Sequence, residues 1–150
     1  MVCNPFTILN IPRICDSSFT YGGPLFSHFI FIADDTNNSM DVVVHETGHM
    51  FMVNVNNGNG WWLFDPPCWG HTMSSSIDVN CAWSEGWADF LPLAVNGDQC
   101  YNFGKNPCQD NFVDLEHLDR SFPPSQYGWG DTSEARVAVT HISVIASLHS

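Results

Sequence analysis

The sequence predicts one α+β domain over residues 1–150, in which a small mixed sheet packs on a helix and further helices close the structure. Residues 6–11 and 25–32 are rich in β-branched and aromatic side chains, as strands are. Residues 82–91 and 134–148 carry apolar side chains at the three- and four-residue spacing of helices. With 150 residues and a hydrophobic content of 44%, the chain can bury a substantial core.

The first helix is expected to begin near Ser39 and to end near Val53. Ser39 can act as its N-cap, and Asp41 places a negative charge in the first turn, where the helix dipole favours it. Residues 42–44 are three valines, which are poor intrinsic helix formers, so burial must hold this helix. A turn signal at residues 21–24 separates the two predicted strands, and residues 34–39 form a polar loop.

The second half of the chain is predicted to be mostly helical with long connections. Residues 54–77 form an irregular segment whose aromatic side chains lie near a cleft or form a small core of their own. Pro92 is expected to end or kink the second helix. Residues 97–109 are rich in turns, and residues 112–118 are predicted to be a short helix. Ser133 or Thr132 can cap the last helix, Glu134–Leu148.

The charge of the chain excludes two classes of partner. The chain has four Lys and Arg residues and 16 Asp and Glu residues, which gives a formal net charge of −12. So few cations cannot build a basic patch, which argues against binding to nucleic acid or to an anionic membrane. The sequence also contains no run of 18 apolar residues, so no membrane span is expected.

Six cysteines in a small acidic chain favour an oxidising compartment, and we expect an extracellular protein. Their spacing favours local disulfides, and the sequon at residues 37–39 agrees with secretion. An alternative is a second metal site built from Cys68, His71 and Cys81. No export signal is visible at the start of the chain, so we expect a fragment of a longer protein. The favoured pairings are Cys3 with Cys15, Cys68 with Cys81, and Cys100 with Cys108.

A short motif in the first helix carries the main functional signal. Residues 45–49 read His-Glu-Thr-Gly-His, so on a helix His45 and His49 lie on one face at the spacing that holds one zinc ion. A catalytic zinc takes a third protein ligand, and Glu85 in the second helix is the best candidate. Asp89 lies four residues after Glu85 on the same helix face, so one carboxylate can bind metal while the other orients a ligand histidine.

The histidine motif, followed 36 residues later by Ser-Glu-Gly-Trp-Ala-Asp-Phe, resembles the gluzincin metallopeptidases, with the fungalysin-like branch closest and thermolysin more distant. The resemblance covers about residues 41–91. It implies a zincin-like catalytic domain that binds Zn²⁺ through His45, His49 and Glu85. It also implies that Glu46 is the general base, that Asp89 orients His45, and that the substrate is a peptide or protein.

The resemblance leaves the group that stabilises the oxyanion open. Tyr101, His117, Tyr127 and His141 are the candidates, since the tyrosine or histidine that such enzymes use has no clear match. A rival hypothesis is a non-catalytic secreted module, in which a zincin-like fold serves as a disulfide-braced binding surface. The sequence does not indicate the oligomeric state.

Overall fold

The computed structural model describes residues 18–23, 26–33, 36, 38–55, 68, 71–104, 108–109, 112–121 and 130–148. Within them the fold is mixed α+β, with three long helices and short antiparallel strands. A short helix, α3, and a 3₁₀ turn at Gly130–Thr132 lie before the last long helix. The elements in chain order are β1 (Phe19–Gly23), β2 (Phe26–Phe31), α1 (Met40–Val55), α2 (Val79–Asn96), β3 (Cys100–Asn102), β4 (Phe112–Asp114), α3 (Leu118–Ser121) and α4 (Glu134–Leu148).

The first antiparallel pair, β1 and β2, corrects the predicted turn at residues 21–24. Phe19 pairs with Phe31 and Tyr21 with Phe29, and the register shifts between Tyr21 and Gly23. Residues 21–23 therefore belong to β1. Their glycines resemble a turn signal, but cross-strand pairing over the preceding residues makes them the end of a strand. The prediction of a strand at residues 25–32 agrees with β2.

Helix α1 begins as predicted, because the Ser39 hydroxyl accepts a hydrogen bond of 3.2 Å from the backbone N–H of Val42. The same hydroxyl donates to the carbonyl of Asn102 at the end of β3. Asp41 is 3% exposed, and its two oxygens accept bonds from the Asn96 side chain and from the backbone and side chain of Asn102. These contacts fix the N-terminus of α1 against the end of α2 and against β3.

Helix α2 is longer than predicted at both ends. It begins after Asp78, whose side chain accepts a hydrogen bond of 2.9 Å from the N–H of Asn80. It ends at Gly97, whose positive φ of 71° allows a left-handed cap with its N–H bonded to Leu93. Pro92 does not end the helix, which continues to Asn96 with the proline ring buried inside the fold. Burial on both sides of Pro92 outweighs the one backbone hydrogen bond that it removes.

Strand β4 occupies residues 112–114, where we predicted a helix over residues 112–118, and its partner β3 lies in the segment predicted to be rich in turns. Cys100 pairs with Asp114, and Asn102 pairs with Phe112. The prediction of a helix from apolar spacing was wrong here, because a strand of three residues is too short to be distinguished from one turn of a helix by its sequence pattern. The described strands therefore form two separate antiparallel pairs rather than one mixed sheet.

Helix α4 has the predicted bounds and packs tightly on α2. A Cβ atom built on Gly86 would lie 2.6 Å from the Glu134 carbonyl oxygen and 2.6 Å from Val137 Cβ. Only glycine permits this approach of α2 to the first turn of α4. The hydroxyl of Ser133 donates to the carbonyl of Met73, so this predicted cap binds a distant segment instead.

The buried core joins all three long helices to the second strand pair. Helix α2 packs against both α1 and α4. Among the described helices, none is long and apolar enough to cross a membrane. The buried cluster comprises Val42, Met73, Phe90, Leu93, Tyr101, Val113, Leu115, Ala135 and Ala138.

Two of the three predicted disulfides are confirmed. Cys68 pairs with Cys81 across a Cα–Cα distance of 5.6 Å, and Cys100 pairs with Cys108 across 5.4 Å. The first bond ties the segment before α2 to the first turn of that helix. The predicted strand at residues 6–11, the Cys3–Cys15 pair and the aromatic side chains of residues 61–69 lie outside the described residues.

Candidate metal centre

The structure brings the side chains of His45, His49 and Glu85 together between α1 and α2. Their three donor atoms form a nearly equilateral triangle. The Nε2 atoms of the two histidines are 3.1 Å apart, and Glu85 Oε2 lies 3.1 Å from His49 Nε2 and 3.3 Å from His45 Nε2. Ligands bound to zinc at about 2.0–2.2 Å in tetrahedral geometry are separated by about 3.3–3.6 Å. The triangle is close to this size, with two of its sides shorter by a few tenths of an ångström.

The chemistry of the triangle also favours a cation at its centre. The Nδ1 atom of His45 lies 2.9 Å from a carboxyl oxygen of Asp89. A neutral ring that donates from Nδ1 to this oxygen would direct the lone pair of Nε2 into the triangle. Burial lowers the pKa of His45, but hydrogen bonds with Asp89 and Glu85 raise it well above the usual 6.5. A positive charge is thus stabilised at this position, and a bound metal ion supplies one as well as a proton does.

Glu85 is held in its anionic form. Burial raises the pKa of its carboxyl, but the charge of His49 and hydrogen bonds from His45 and His49 lower it well below the usual 4.5. The residue is 8% exposed, and the centre of α2 fixes its backbone. A buried carboxylate beside two imidazole nitrogens is a suitable ligand set for zinc.

Asp89 supports the ring of His45. Its Oδ1 lies 2.9 Å from His45 Nδ1, and the residue is 2% exposed one helical turn after Glu85. Such a carboxylate fixes the tautomer and the orientation of a metal-binding histidine. The predicted arrangement of one carboxylate at the triangle and one behind a histidine is therefore present in the geometry.

Glu46 lies beside the triangle and is 5% exposed. The Thr20 hydroxyl, on β1, lies 2.8 Å from Glu46 Oε2 and 2.7 Å from the backbone carbonyl of the same residue. It can donate its single hydrogen to either oxygen, so it restrains the carboxylate without neutralising it. Strand β1, which the sequence pattern did not reveal, thus contributes a side chain to the site.

His71, which is partly exposed, and the buried Glu134 form a second pair beside the site, which the sequence motifs did not predict. His71 Nδ1 lies 2.8 Å from Glu134 Oε2, and His71 Nε2 lies 3.8 Å from Glu85 Oε1. The hydrogen bond with Glu134 raises the pKa of His71 to about 9, although burial opposes it. Burial raises the pKa of Glu134 to about 7. The proposed site of Cys68, His71 and Cys81 is wrong, because both sulfurs are consumed in a disulfide.

These side chains line a cleft of about 510 Å³. His45, Glu46, His71 and Glu134 lie on its wall, with Tyr101 beside them. The volume falls within the range of small-ligand pockets, about 300–1,000 Å³. Polar groups from α1, from α4 and from the segment before α2 thus converge on one concave space.

The four predicted oxyanion candidates lie in different surroundings. The Tyr101 ring is 3% exposed and lies 5.9 Å from the ring of His45, and burial raises the pKa of its hydroxyl well above 10. His117 faces Asp114 at 3.3 Å. His141 packs among the rings of Trp83, Trp87 and Phe90, and burial lowers its pKa. Tyr127 lies outside the described residues.

The site has two histidines four residues apart on one helix, and they face a glutamate and a buried aspartate on a second helix. This arrangement is typical of metallopeptidase-related domains. Residues 2–148 match the family model described as Mycolysin C-terminal domain, and the chain belongs to that family. This family is related to the thermolysin-like metallopeptidases, and its description does not by itself assign catalysis to the domain. No curated protein and no solved structure gives a significant match.

Proposed function

We propose that the chain is a zincin-like domain that binds one Zn²⁺ ion through His45, His49 and Glu85 and hydrolyses peptide bonds. The observation that carries the proposal is the triangle of three donor atoms with sides of 3.1–3.3 Å, next to a carboxylate that binds none of them. A structural zinc site uses four protein ligands, whereas a catalytic site uses three and keeps one position open. Within the part of the chain that the structure describes, the set of three donors fits the catalytic type.

The side chains around the triangle have distinct tasks in such a reaction. Zinc held there would supply Lewis-acid activation of a carbonyl group and of water. Glu46 accepts a proton as the water oxygen bonds to the carbonyl carbon of the substrate. When the carbon–nitrogen bond breaks, Glu46 returns that proton to the leaving amine. Thr20 keeps the carboxylate directed at the cleft, and Asp89 keeps the His45 ring in the required tautomer.

The proposal includes the setting of the protein. The substrate is a peptide or protein, and the two disulfides of the described residues fit an extracellular location. Because the chain has a formal net charge of −12, we do not expect it to bind nucleic acid.

A second candidate function is that of a non-catalytic binding module. It is favoured by the family match, whose description names a C-terminal domain rather than a peptidase domain. In that case the disulfides and the polar cluster would brace a recognition surface. The two functions differ in what they require of Glu46, and this residue provides the test.

The metal site is tested first, by elemental analysis of folded protein and of single alanine variants. We expect one zinc per chain in the parent and loss of zinc in His45→Ala, His49→Ala and Glu85→Ala, since two donors rarely retain the ion. Glu116→Ala is the matched control, because Glu116 is exposed. Full zinc occupancy in all three variants would rule out the proposed ligand set.

Catalysis is tested with Glu46→Gln, which changes a proton acceptor without removing a ligand. We expect this variant to keep its zinc and to lose nearly all hydrolysis of unfolded protein substrates, while Glu116→Gln keeps full activity. Equal cleavage by the Glu46→Gln variant and the parent would disprove the mechanism. A zinc-loaded parent that cleaves no peptide from a diverse set would favour the binding module.

A further inference from the structure

We propose that the outer face of helix α1 is a self-association surface, through which two copies of this chain pair antiparallel about a two-fold axis near Thr47. This face lies on the side of the helix that is turned away from the candidate metal centre, so the pairing does not depend on the proposed function. The surface consists of five side chains, which we call the α1 stripe: Met40, Val44, Thr47, Phe51 and Val55.

The first argument is the exposure of apolar side chains along α1. Met40 is 64% exposed, Phe51 57% and Val55 63%. With about 3.6 residues per turn, the α1 stripe falls within a sector of about 80° over a length of about 22 Å, on the side away from the two histidines. A helix that is apolar on all sides is usually buried in protein, so an exposed apolar stripe of this length indicates an interaction surface.

The second argument is the absence of charge from this face of α1. No exposed residue of the helix is ionisable, because its four ionisable side chains lie on the other faces. The chain has a formal net charge of −12, so two copies repel each other where acidic side chains meet, and the α1 stripe brings none into contact. The helix also lacks the Lys and Arg with which a helix binds an anionic lipid surface. A second uncharged apolar face is therefore the partner that this surface fits.

The third argument, which selects a second copy of this chain, is the symmetry of the α1 stripe. Met40 and Val55 are equally distant in sequence from the midpoint between residues 47 and 48. Val44 and Phe51 are also equally distant from it. An antiparallel pair about that midpoint therefore places Met40 against Val55 of the partner subunit. It likewise places Val44 against Phe51 of the partner subunit. Two-fold pairing of identical faces requires such self-complementarity.

The centre of the α1 stripe is suited to a helix crossing. The Thr47 hydroxyl donates a hydrogen bond of 2.8 Å to the carbonyl of Val43 in the same helix, so it brings no unpaired donor to the interface. Thr47 is also small, so the larger side chains on either side of it can interdigitate with those of the partner subunit. Because a contact along one helix of 16 residues is smaller than a standard interface, we expect a weak dimer with a Kd of about 10–100 µM.

Sedimentation equilibrium over a range of protein concentrations tests the association. We expect a monomer–dimer equilibrium whose Kd falls as NaCl is added, because salt screens the repulsion between two acidic copies. Phe51→Asp and the uncharged Phe51→Ser should each raise Kd by at least about 30-fold, since both remove a large apolar contact. Val95→Asp is the matched control: it adds the same charge at a side chain that is 63% exposed on α2, and Kd should change by less than about threefold. Circular dichroism confirms that each variant is folded.

Chemical cross-linking tests the antiparallel arrangement. In the proposed dimer, residue 47 lies close to its own copy, whereas residue 55 is about 22 Å from its own copy along the helix axis. With a short bismaleimide, Thr47→Cys should therefore cross-link to itself and Val55→Cys should not. An equimolar mixture of Met40→Cys and Val55→Cys chains should give the mixed dimer. Val95→Cys, on α2, should give no cross-linked dimer.

Three outcomes would overturn the inference. A chain that stays monomeric at about ten times the highest expected Kd does not use the α1 stripe to bind a second copy. A dimer whose Kd is unchanged in both Phe51 variants forms through another face. Efficient cross-linking of Val55→Cys to itself shows that the two helices do not pair antiparallel about residue 47. None of these results bears on zinc binding or hydrolysis, which the ligand and Glu46 variants test separately.

Discussion

At the residue scale, the functional side chains of the candidate centre are held by partners from other parts of the chain. Asp89 holds His45, Thr20 holds Glu46, and Glu134 holds His71. Each partner is itself restrained by a helix or a strand. In the proposed function, these atoms are in place before a metal ion or a substrate binds, which lowers the free-energy cost of organising them.

Asp89→Asn is predicted to weaken zinc binding without abolishing it. The amide keeps the size of the side chain and can still accept a hydrogen bond from His45 Nδ1, but it removes the negative charge. We expect zinc affinity or activity to fall by about 10–100-fold, as such changes behind a ligand usually do. Competition with a fluorescent chelator measures the affinity.

The exposed Glu116→Gln again serves as a control for the loss of one negative charge from the chain. It should leave zinc affinity unchanged. If Asp89→Asn were as severe as Glu85→Ala, the division into a ligand and an orienting residue would be incorrect.

The sequence predicted the residues that share a local motif and missed those that do not. His45, His49, Glu85 and Asp89 occupy fixed positions on two helices, so helical spacing alone places each pair on one face. Glu134 approaches His71 from 63 residues away, and no local pattern encodes that contact. His71 was predicted only as a ligand of a second metal site with Cys68 and Cys81, because Cys68 lies three residues before it in the sequence.

At the element scale, the Cys68–Cys81 disulfide holds the segment that carries His71 against α2. We predict that the double variant Cys68→Ser, Cys81→Ser loses about 3 kcal/mol of unfolding free energy, as expected for a loop of about 15 residues. Urea unfolding of this variant and of the parent measures the loss. An unchanged unfolding free energy would contradict a stabilising role of the disulfide.

The packing of α2 on α4 yields a prediction with an internal control. Gly86→Ala forces Cβ against the Glu134 carbonyl and Val137, so we expect a loss of about 1–3 kcal/mol from overpacking. Gly48→Ala, also inside a helix, brings Cβ to 3.2 Å from Leu91 Cδ2, and that side chain can move. Its other neighbours, Ala88 Cα at 3.5 Å and Ala88 Cβ at 3.7 Å, lie at ordinary contact distance. Its stability should remain within about 1 kcal/mol of the parent.

Thermal unfolding of the two variants measures the difference. The Gly86→Ala change should also disturb the His71–Glu134 pair, since Glu134 begins α4 at the point of contact. Equal stability of the two variants would show that the helices can separate without cost.

Long helices were easier to predict than short strands. The helix patterns at residues 82–91 and 134–148 extend over several turns, so burial reinforces one assignment. Strands β1 and β4 are short and depend on partners elsewhere in the chain, and a run such as Tyr21-Gly22-Gly23 has no strand signal of its own. The extension of α2 past Pro92 was missed for a related reason, because tertiary burial rather than local preference decides it.

At the scale of the whole molecule, metal binding and folding are expected to be linked. The proposed ligands come from two helices and meet only in the folded chain. At zinc concentrations about 1,000-fold above Kd, binding adds about 4 kcal/mol to the unfolding free energy. For a domain of this size that corresponds to a Tm difference of about 10 °C.

We therefore predict that a chelator lowers Tm of the parent by about this amount and leaves Tm of His45→Ala unchanged. Differential scanning calorimetry with and without the chelator gives the result. A parent whose Tm is insensitive to chelator would indicate a fold that does not depend on the metal.

The carboxyl groups of Glu46, Asp89 and Glu134, which line one cleft, also shape the approach of a substrate. The chain as a whole has a formal net charge of −12, so we expect a negative potential at the cleft. Such a field attracts cationic peptides from solution and repels anionic ones. Lysine-flanked peptides should therefore be cleaved with a higher kcat/KM than glutamate-flanked ones. The ratio should shrink as added salt shortens the Debye length, because diffusional steering rather than contact in the cleft produces this selectivity.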